Sequence, residues 1–168
     1  MTPGFSSTPP SMLNKDYREI LQYLSDEGVK FLLVGAYALA AHGFPRATRD
    51  IDFFVWASPQ NAKSLLRALG RFGAAIESVS AADFAAEGTV FQIGVGPRRI
   101  DIFTRIDGVT FQEAYARRST IRLEGIDVPV ISREDLIANK RASGRTQDLA
   151  DVERLTARSR SRDDDQTR

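Results

Sequence analysis

The sequence predicts a single α/β (α+β) domain in which helices flank a mixed β-sheet, and three observations carry that expectation. Short apolar runs of strand length recur along the chain, stretches with helical apolar spacing separate them, and no internal repeat or linker-like segment breaks the middle. At 168 residues, with 42% apolar and 27% charged side chains, the chain suits one globule with a sizeable core. That domain is expected over residues 15–157. Residues 1–14, rich in Pro and Ser, and residues 158–168, polar and without an apolar anchor, read as disordered tails.

The elements follow in order. Tyr17, Ile20, Leu21 and Leu24 recur at helical spacing and Gly28 is placed to end the turn, so a first helix is expected over residues 16–27. Phe31, Leu32, Leu33 and Val34 form a continuous apolar run, the mark of a strand buried on both faces, which stops at Gly35. The Ala-rich residues 36–42 then read as helix. A strand, a glycine and a helix N-terminus in that order leave backbone N–H groups pointing at one spot, a general anion-binding arrangement. A second strand is expected over residues 50–56. Ser58 and Pro59 suit the N-cap and first position of a helix carrying Ala62, Leu65, Leu66 and Leu69.

Residues 73–88 are Ala-rich and give no clear periodicity. Residues 89–94 and 99–105 read as a hairpin joined through Gly96 and Pro97, and residues 111–116 as a short helix. Residues 120–123 and 127–131 flank Gly125 and form either one more hairpin or two edge strands. Ser132 with Asp135 resembles a capping box for a helix that continues through Leu136 and Ile137 into Lys140. Gly144 separates it from a last helix carrying Leu149, Val152 and Leu155.

Composition bounds the function. With 23 Lys+Arg against 22 Asp+Glu, a net charge of +1 offers no strong global attraction to nucleic acid or anionic lipid. The absence of cysteine excludes disulfides, thiol nucleophiles and Cys-based zinc sites, and suits a reducing compartment. No apolar run approaches the roughly 20 residues of a membrane span, and residues 1–10 lack the basic and apolar regions of a signal peptide. The cytoplasm is the expected location, with no membrane partner.

The chemistry concentrates in carboxylates. Asp50 and Asp52, two apart on a strand, project from one face while Ile51, Phe53 and Val55 face the other. Like charges at that separation repel unless something positive compensates. That compensation is either a divalent cation such as Mg²⁺ or, if the pair is merely solvated, Arg46 and Arg49. Asp101, between Ile100 and Ile102, repeats the pattern. It is either an edge charge paired with Arg98 or Arg99, or, if its strand neighbours the first, a third acid at a site able to hold two Mg²⁺ about 3.5–4 Å apart for displacement at phosphorus. Lys140 follows Leu136 and Ile137 on the apolar stripe of its helix, and Asp148 precedes Val152 and Leu155 on the next. Either the two pin their helices together or they serve substrate phosphate. His42, the single histidine, reads as a helix-end or packed side chain, and Arg46 and Arg49 either steer phosphate or balance the nearby acids.

The ordered set Val34-Gly35-Ala36-Tyr37-Ala38-Leu39, Arg49-Asp50-Ile51-Asp52-Phe53-Phe54 and Arg99-Ile100-Asp101-Ile102-Phe103 resembles the DNA polymerase β-like nucleotidyltransferase superfamily. Ala41-His42-Gly43 through Thr48, and Lys140 through Arg145 to Asp148 and Asp151, look like its AbiEii-type branch, associated with abortive infection and toxin–antitoxin systems. The resemblance implies a nucleotidyltransferase fold that uses Mg²⁺ and an NTP. By position, Gly35 would hold the triphosphate with Ala36, Tyr37, Arg49 and Lys140 around it. Asp50 and Asp52 would ligate both metals, Asp101 one metal and the acceptor hydroxyl, and Lys140 and Asp148 would complete the catalytic set. The turn departs from the family's usual Gly-Gly or Gly-Ser by carrying Ala36. Transfer of a nucleoside monophosphate to a hydroxyl of tRNA, protein or a small molecule is the expectation, with a cognate antitoxin or other protein as partner. The contrasting expectation is a catalytically silent binding or regulatory protein that keeps the fold and acids and binds metal without turnover.

Overall fold

A computed structural model describes residues 13–45, 48–94 and 98–166 of the chain, without the side chains of 158–166. The elements run α1 (Lys15–Asp26), β1 (Phe31–Val34), α2 (Gly35–Ala41), β2 (Asp50–Val55), α3 (Pro59–Phe72), a 3₁₀ turn (Ile76–Ser78), α4 (Ala81–Ala85), β3 (Val90–Ile93), β4 (Arg99–Phe103), α5 (Phe111–Ala116), β5 (Ser119–Leu123), β6 (Ile126–Val130), α6 (Arg133–Ser143) and α7 (Thr146–Gln166). The strands form one six-stranded mixed sheet ordered β3-β4-β2-β1-β6-β5. β1 lies antiparallel to β2 and parallel to β6, β2 parallel to β4, and β3–β4 and β5–β6 are antiparallel hairpins.

Local signals set most of these boundaries. Asn14 Oδ1 accepts from the Tyr17 amide to start α1, and Gly28 at φ +66° follows its end. Ser58 caps α3, with Pro59 at its first position. The buried Asn61 amide accepts from Lys30 N (2.8 Å) and donates to Lys30 O (3.0 Å) and Trp56 O (2.9 Å), tying the end of β2 to the approach of β1. Between residues 73 and 88, where apolar periodicity is missing, a Ser80–Asp83 capping box starts α4 and Phe84 alone anchors it in the core. Glu124 and Gly125, both at positive φ, make the two-residue turn that joins β5 and β6, so this pair is a hairpin.

Five expectations need correction or bounding. Of the N-terminal stretch, residues 1–12 lie outside the described residues, but Leu13 is buried and Asn14 caps α1, so the ordered chain begins before residue 15. At the other end α7 runs on to Gln166 across a stretch that the sequence reads as tail. Leu149 is not on the buried stripe of α7, being 48% exposed. The inward positions are Asp148, Asp151, Val152 and Leu155, because two acids find partners there. Ser132 Oγ does accept from Asp135 N, yet the Asp135 carboxylate takes both Nε and Nη2 of Arg117, at 3.0 and 2.9 Å, so the box is open. Arg46, Gly96 and Pro97 lie outside the described residues.

The two faces of β2 differ, and this positions the site. Ile51, Phe53 and Val55 are fully enclosed in the core that also holds the apolar stripes of α1 and α3. Asp50, Asp52 and Phe54 occupy the other face, where Phe54 meets Phe111 of α5 edge-on.

Candidate active site

Register gathers the acids. β1 and β2 pair with Val34 opposite Asp52, and β2 and β4 pair with Asp50 opposite Arg99 and Asp52 opposite Asp101. Directly paired residues share a face, so Asp52 and Asp101 stand side by side with Asp50 one pleat away. Gly35, the residue after β1, comes against the same carboxylate. A Cβ there would fall 2.2 Å from Asp52 Oδ2, and the residue holds φ +68°, so close approach and backbone conformation both demand glycine.

Electrostatics follow from the crowding. The Asp52 carboxyl is pushed up to about 7, first by burial, then by the charges of Asp101 and Asp50 and by a hydrogen bond with Asp101, against a lowering from Arg99. Asp101 is 4% exposed. Its Oδ1 lies 3.1 Å from Arg99 Nε, but the alignment makes no hydrogen bond, and both atoms are buried without a hydrogen-bond partner. Arg99 also reaches Asp50 Oδ2 through Nη2 at 3.3 Å. The expected pairing of Asp101 with Arg99 and its convergence with Asp50 and Asp52 therefore coexist.

Tyr17 holds the two strands at this point. Its hydroxyl donates to the carbonyls of Arg49 and Arg99, the latter at 3.1 Å, just ahead of β2 and at the first residue of β4. Burial, with Tyr37 and Asp50 nearby, pushes its pKa to about 12, so it remains a donor. Tyr37 packs edge-on against it, 5.8 Å between ring centres, and Ala36 is buried. Arg49 contributes its carbonyl here, with its side chain on the surface. Thr48 Oγ1 lies 3.3 Å from the Asp50 amide, which donates to it. His42 donates from Nε2 to the Ile131 carbonyl at 2.8 Å, joining the end of α2 to the end of β6, the packed role expected of it.

Lys140 and Asp148 come together, with Asp151 as a third member. Lys140 Nζ is 2.9 Å from Asp151 Oδ2 and 3.5 Å from Asp148 Oδ1, and all three side chains are nearly or fully buried. Asp148 Oδ2 accepts from Ser143 Oγ and Arg145 Nε, each at 2.8 Å. Burial pushes the Asp148 carboxyl up, but those two hydrogen bonds together with the charges of Arg145 and Lys140 outweigh it and hold it below the usual carboxylate range. Tyr17 and Arg145 are the site residues to which sequence patterning assigned no role. Tyr17 reads only as one more position on an apolar stripe, and nothing local marks a hydroxyl whose partners lie 32 and 82 residues away.

Among the described residues, no three His, Asp or Glu side chains close into a ready-made metal cage. The donors nonetheless fit a hard cation. Mg²⁺ is held by one or two carboxylates plus waters and substrate phosphates, and Asp52 beside Asp101 supplies two adjacent carboxylates, one with an oxygen that has no hydrogen bond. A cleft of about 760 Å³ opens at the downstream end of β2, lined by Phe54, Trp56, Arg105, Phe111 and Glu113 among others.

Solved structures share this arrangement of sheet and helices. The lincosamide antibiotic adenylyltransferase LnuA, lincomycin-bound, matches with TM-score 0.57 at 19% identity over 86% of this chain and 96% of that one. ANT(2″)-Ia, in complex with adenylyl-2″-tobramycin, matches with TM-score 0.52 at 17% identity over 84% and 86%. A protein of Thermotoga maritima described as a nucleotidyltransferase gives 0.52 at 18% over 88% and 90%. The chain thus has the nucleotidyltransferase fold. No curated protein sequence matches it. The family model described as "Nucleotidyl transferase AbiEii toxin, Type IV TA system" matches residues 19–164, and the chain belongs to that family. No helix among the described residues is long and apolar enough to cross a membrane.

Proposed function

We propose that this protein transfers a nucleoside monophosphate from an NTP to an acceptor hydroxyl. The observation that carries the reading is the in-register pair Asp52 and Asp101 beside Gly35, with Asp52 raised to about 7 and Asp101 Oδ1 buried without a hydrogen bond. Asp50, Asp52 and Asp101 would hold Mg²⁺, which when bound supplies neutralisation of phosphate charge and orientation for in-line displacement. Gly35 keeps the backbone open for the triphosphate, with the amides of Ala36 and Tyr37 next in line and Arg49 at the rim. Asp101 Oδ1 takes the proton of the acceptor hydroxyl. The hydroxyl oxygen bonds to the α-phosphorus, the bond between the α-phosphorus and the bridging oxygen breaks, and pyrophosphate leaves. Lys140 and Asp148 would belong to the same machinery, and the family's description supports a toxin role with a cognate antitoxin.

The acceptor is sought among tRNA, protein and small molecules. The cleft beside Trp56 has the volume of a small-molecule site, and two solved structures that share the fold are a lincosamide antibiotic adenylyltransferase bound to lincomycin and ANT(2″)-Ia in complex with adenylyl-2″-tobramycin, so small molecules of that kind belong in the test. The experiment offers each of four α-labelled NTPs with Mg²⁺ to total tRNA, cell protein and a small-molecule panel. Label that appears with wild type and vanishes with Asp52→Ala supports the proposal and names donor and acceptor class. No label with any donor, from folded protein that binds Mg²⁺, moves the assignment to a silent binding protein.

A further inference from the structure

A triphosphate placed beside three acids needs protein cations with unused donors. Arg99 is committed to Asp50 and Asp101, and Lys140 is 5% exposed between Asp148 and Asp151. Arg145 differs. Its side chain is 80% exposed, and among the described residues its Nε alone is engaged, at 2.8 Å on Asp148 Oδ2. Asp148 is in turn fixed by Ser143 Oγ and Lys140 Nζ, and Lys140 by Asp151. The guanidinium therefore sits on a rigid buried base with Nη1 and Nη2 left as a fork, the geometry that suits a phosphate.

The scaffold ties the helix end that bears this fork to the loop that leaves β4. Gly108, in the loop that leaves β4, packs so tightly on α6 that a Cβ there would lie 2.7 Å from Ala142 Cβ and 2.8 Å from Ala138 O. Asn139 Nδ2 also donates to the Asp107 carbonyl at 2.8 Å. α6 is thus fastened to the loop that follows the strand carrying Asp101, and Gly144 at φ +66° turns the chain directly into Arg145. The Arg145 guanidinium has its pKa raised, most by Asp148 and further by Asp52 and Asp107, so it lies within the field of the catalytic acid.

We propose that Arg145 contacts the β- and γ-phosphates of the bound nucleoside triphosphate, the part of the phosphate chain that the monophosphate lacks. This rests on the nucleotidyl-transfer reading above. The competing role is local: Lys140 and Arg145 together carry two positive charges against two negative charges on Asp148 and Asp151, so Arg145 also neutralises the cluster. The two roles separate by ligand. Calorimetric titration of wild type, Arg145→Gln and Arg145→Lys with each NTP and the corresponding NMP in Mg²⁺ is the test, with thermal unfolding of each variant alongside. Arg145→Gln is expected to weaken the NTP about 10–100-fold, as for loss of a charge-assisted hydrogen bond, and to leave the NMP within about twofold. Arg145→Lys, with charge but no fork, falls between. Unchanged NTP affinity in Arg145→Gln, or equal weakening of NTP and NMP, overturns the phosphate contact. A wild type that binds Mg²⁺ but no NTP overturns the nucleotidyl-transfer reading itself.

Discussion

Asp52 carries a conflict that can be measured. Packed against Gly35 and Asp101, its carboxyl holds a proton up to about 7, while in the unfolded chain it would lose that proton near the ordinary aspartate value of 3.8. At this group the folded state therefore binds more protons than the unfolded state between those values, and the contribution of Asp52 to stability falls as pH rises from about 4 to about 7. Asp52→Asn removes the conflict. It is expected to raise stability at pH 8 by about 1–3 kcal/mol, with little difference near pH 3.5, read from urea unfolding at both pH values. A residue that weakens its own fold at working pH, while its neighbour keeps an unsatisfied oxygen, marks a site organised for a ligand rather than for stability. The carboxylates themselves were legible from sequence, because period-two alternation puts Asp50, Asp52 and Asp101 opposite their isoleucine and phenylalanine neighbours. That Asp52 faces Asp101 was not, since register between strands some 50 residues apart is set by long-range pairing.

At the scale of elements, the α6–α7 pair carries the sharpest consequence. Lys140 is held between Asp148 and Asp151 with almost no water contact, so Lys140→Met takes the buried ammonium from both carboxylates, while Ser143 and Arg145 remain on Asp148 and Gln147 on Asp151. Breaking a buried pair in this way costs about 3–5 kcal/mol, and the expected outcome is a matching drop in the urea midpoint, partly recovered by adding Asp151→Asn. The apolar stripes of α6 and α7 put Lys140 and Asp148 inward from sequence alone. Leu149 misled because hydrophobicity was followed where charge pairing decides the inward face. Elements with their own punctuation were equally readable: Ser58-Pro59 before α3, Gly28 after α1, Gly125 between β5 and β6. Residues 73–88 were opaque because α4 is five residues long and held by one phenylalanine, too short for any period to show.

The whole molecule brings its acids together at the heads of two parallel strands near the middle of a six-stranded sheet, on a chain whose net charge is only +1. A ligand that neutralises those acids should therefore steady the entire domain. With Mg²⁺ and a matching NTP at about 100 times its dissociation constant, linkage gives about 2.7 kcal/mol, or about 5–10 °C in Tm for a chain this size. Thermal scans should show that rise in wild type and its loss in Asp52→Asn, even though the variant alone melts higher at pH 8. The fold class was visible in the sequence because strands and helices punctuate the chain so plainly. The sheet order was not, because nothing local states that β4 sits beside β2 or that β6 sits beside β1.

Tyr17 shows where the fine tolerance of such a site resides. One phenol, on a helix that contributes no acid, grips the carbonyls at the heads of both acid-bearing strands. It works as a gauge block: the width of the gap between Asp52 and Asp101 is set from outside, by an uncharged group that reacts with nothing. A search that scored only the charged residues would map the jaws of this machine and overlook the part that keeps them the right distance apart.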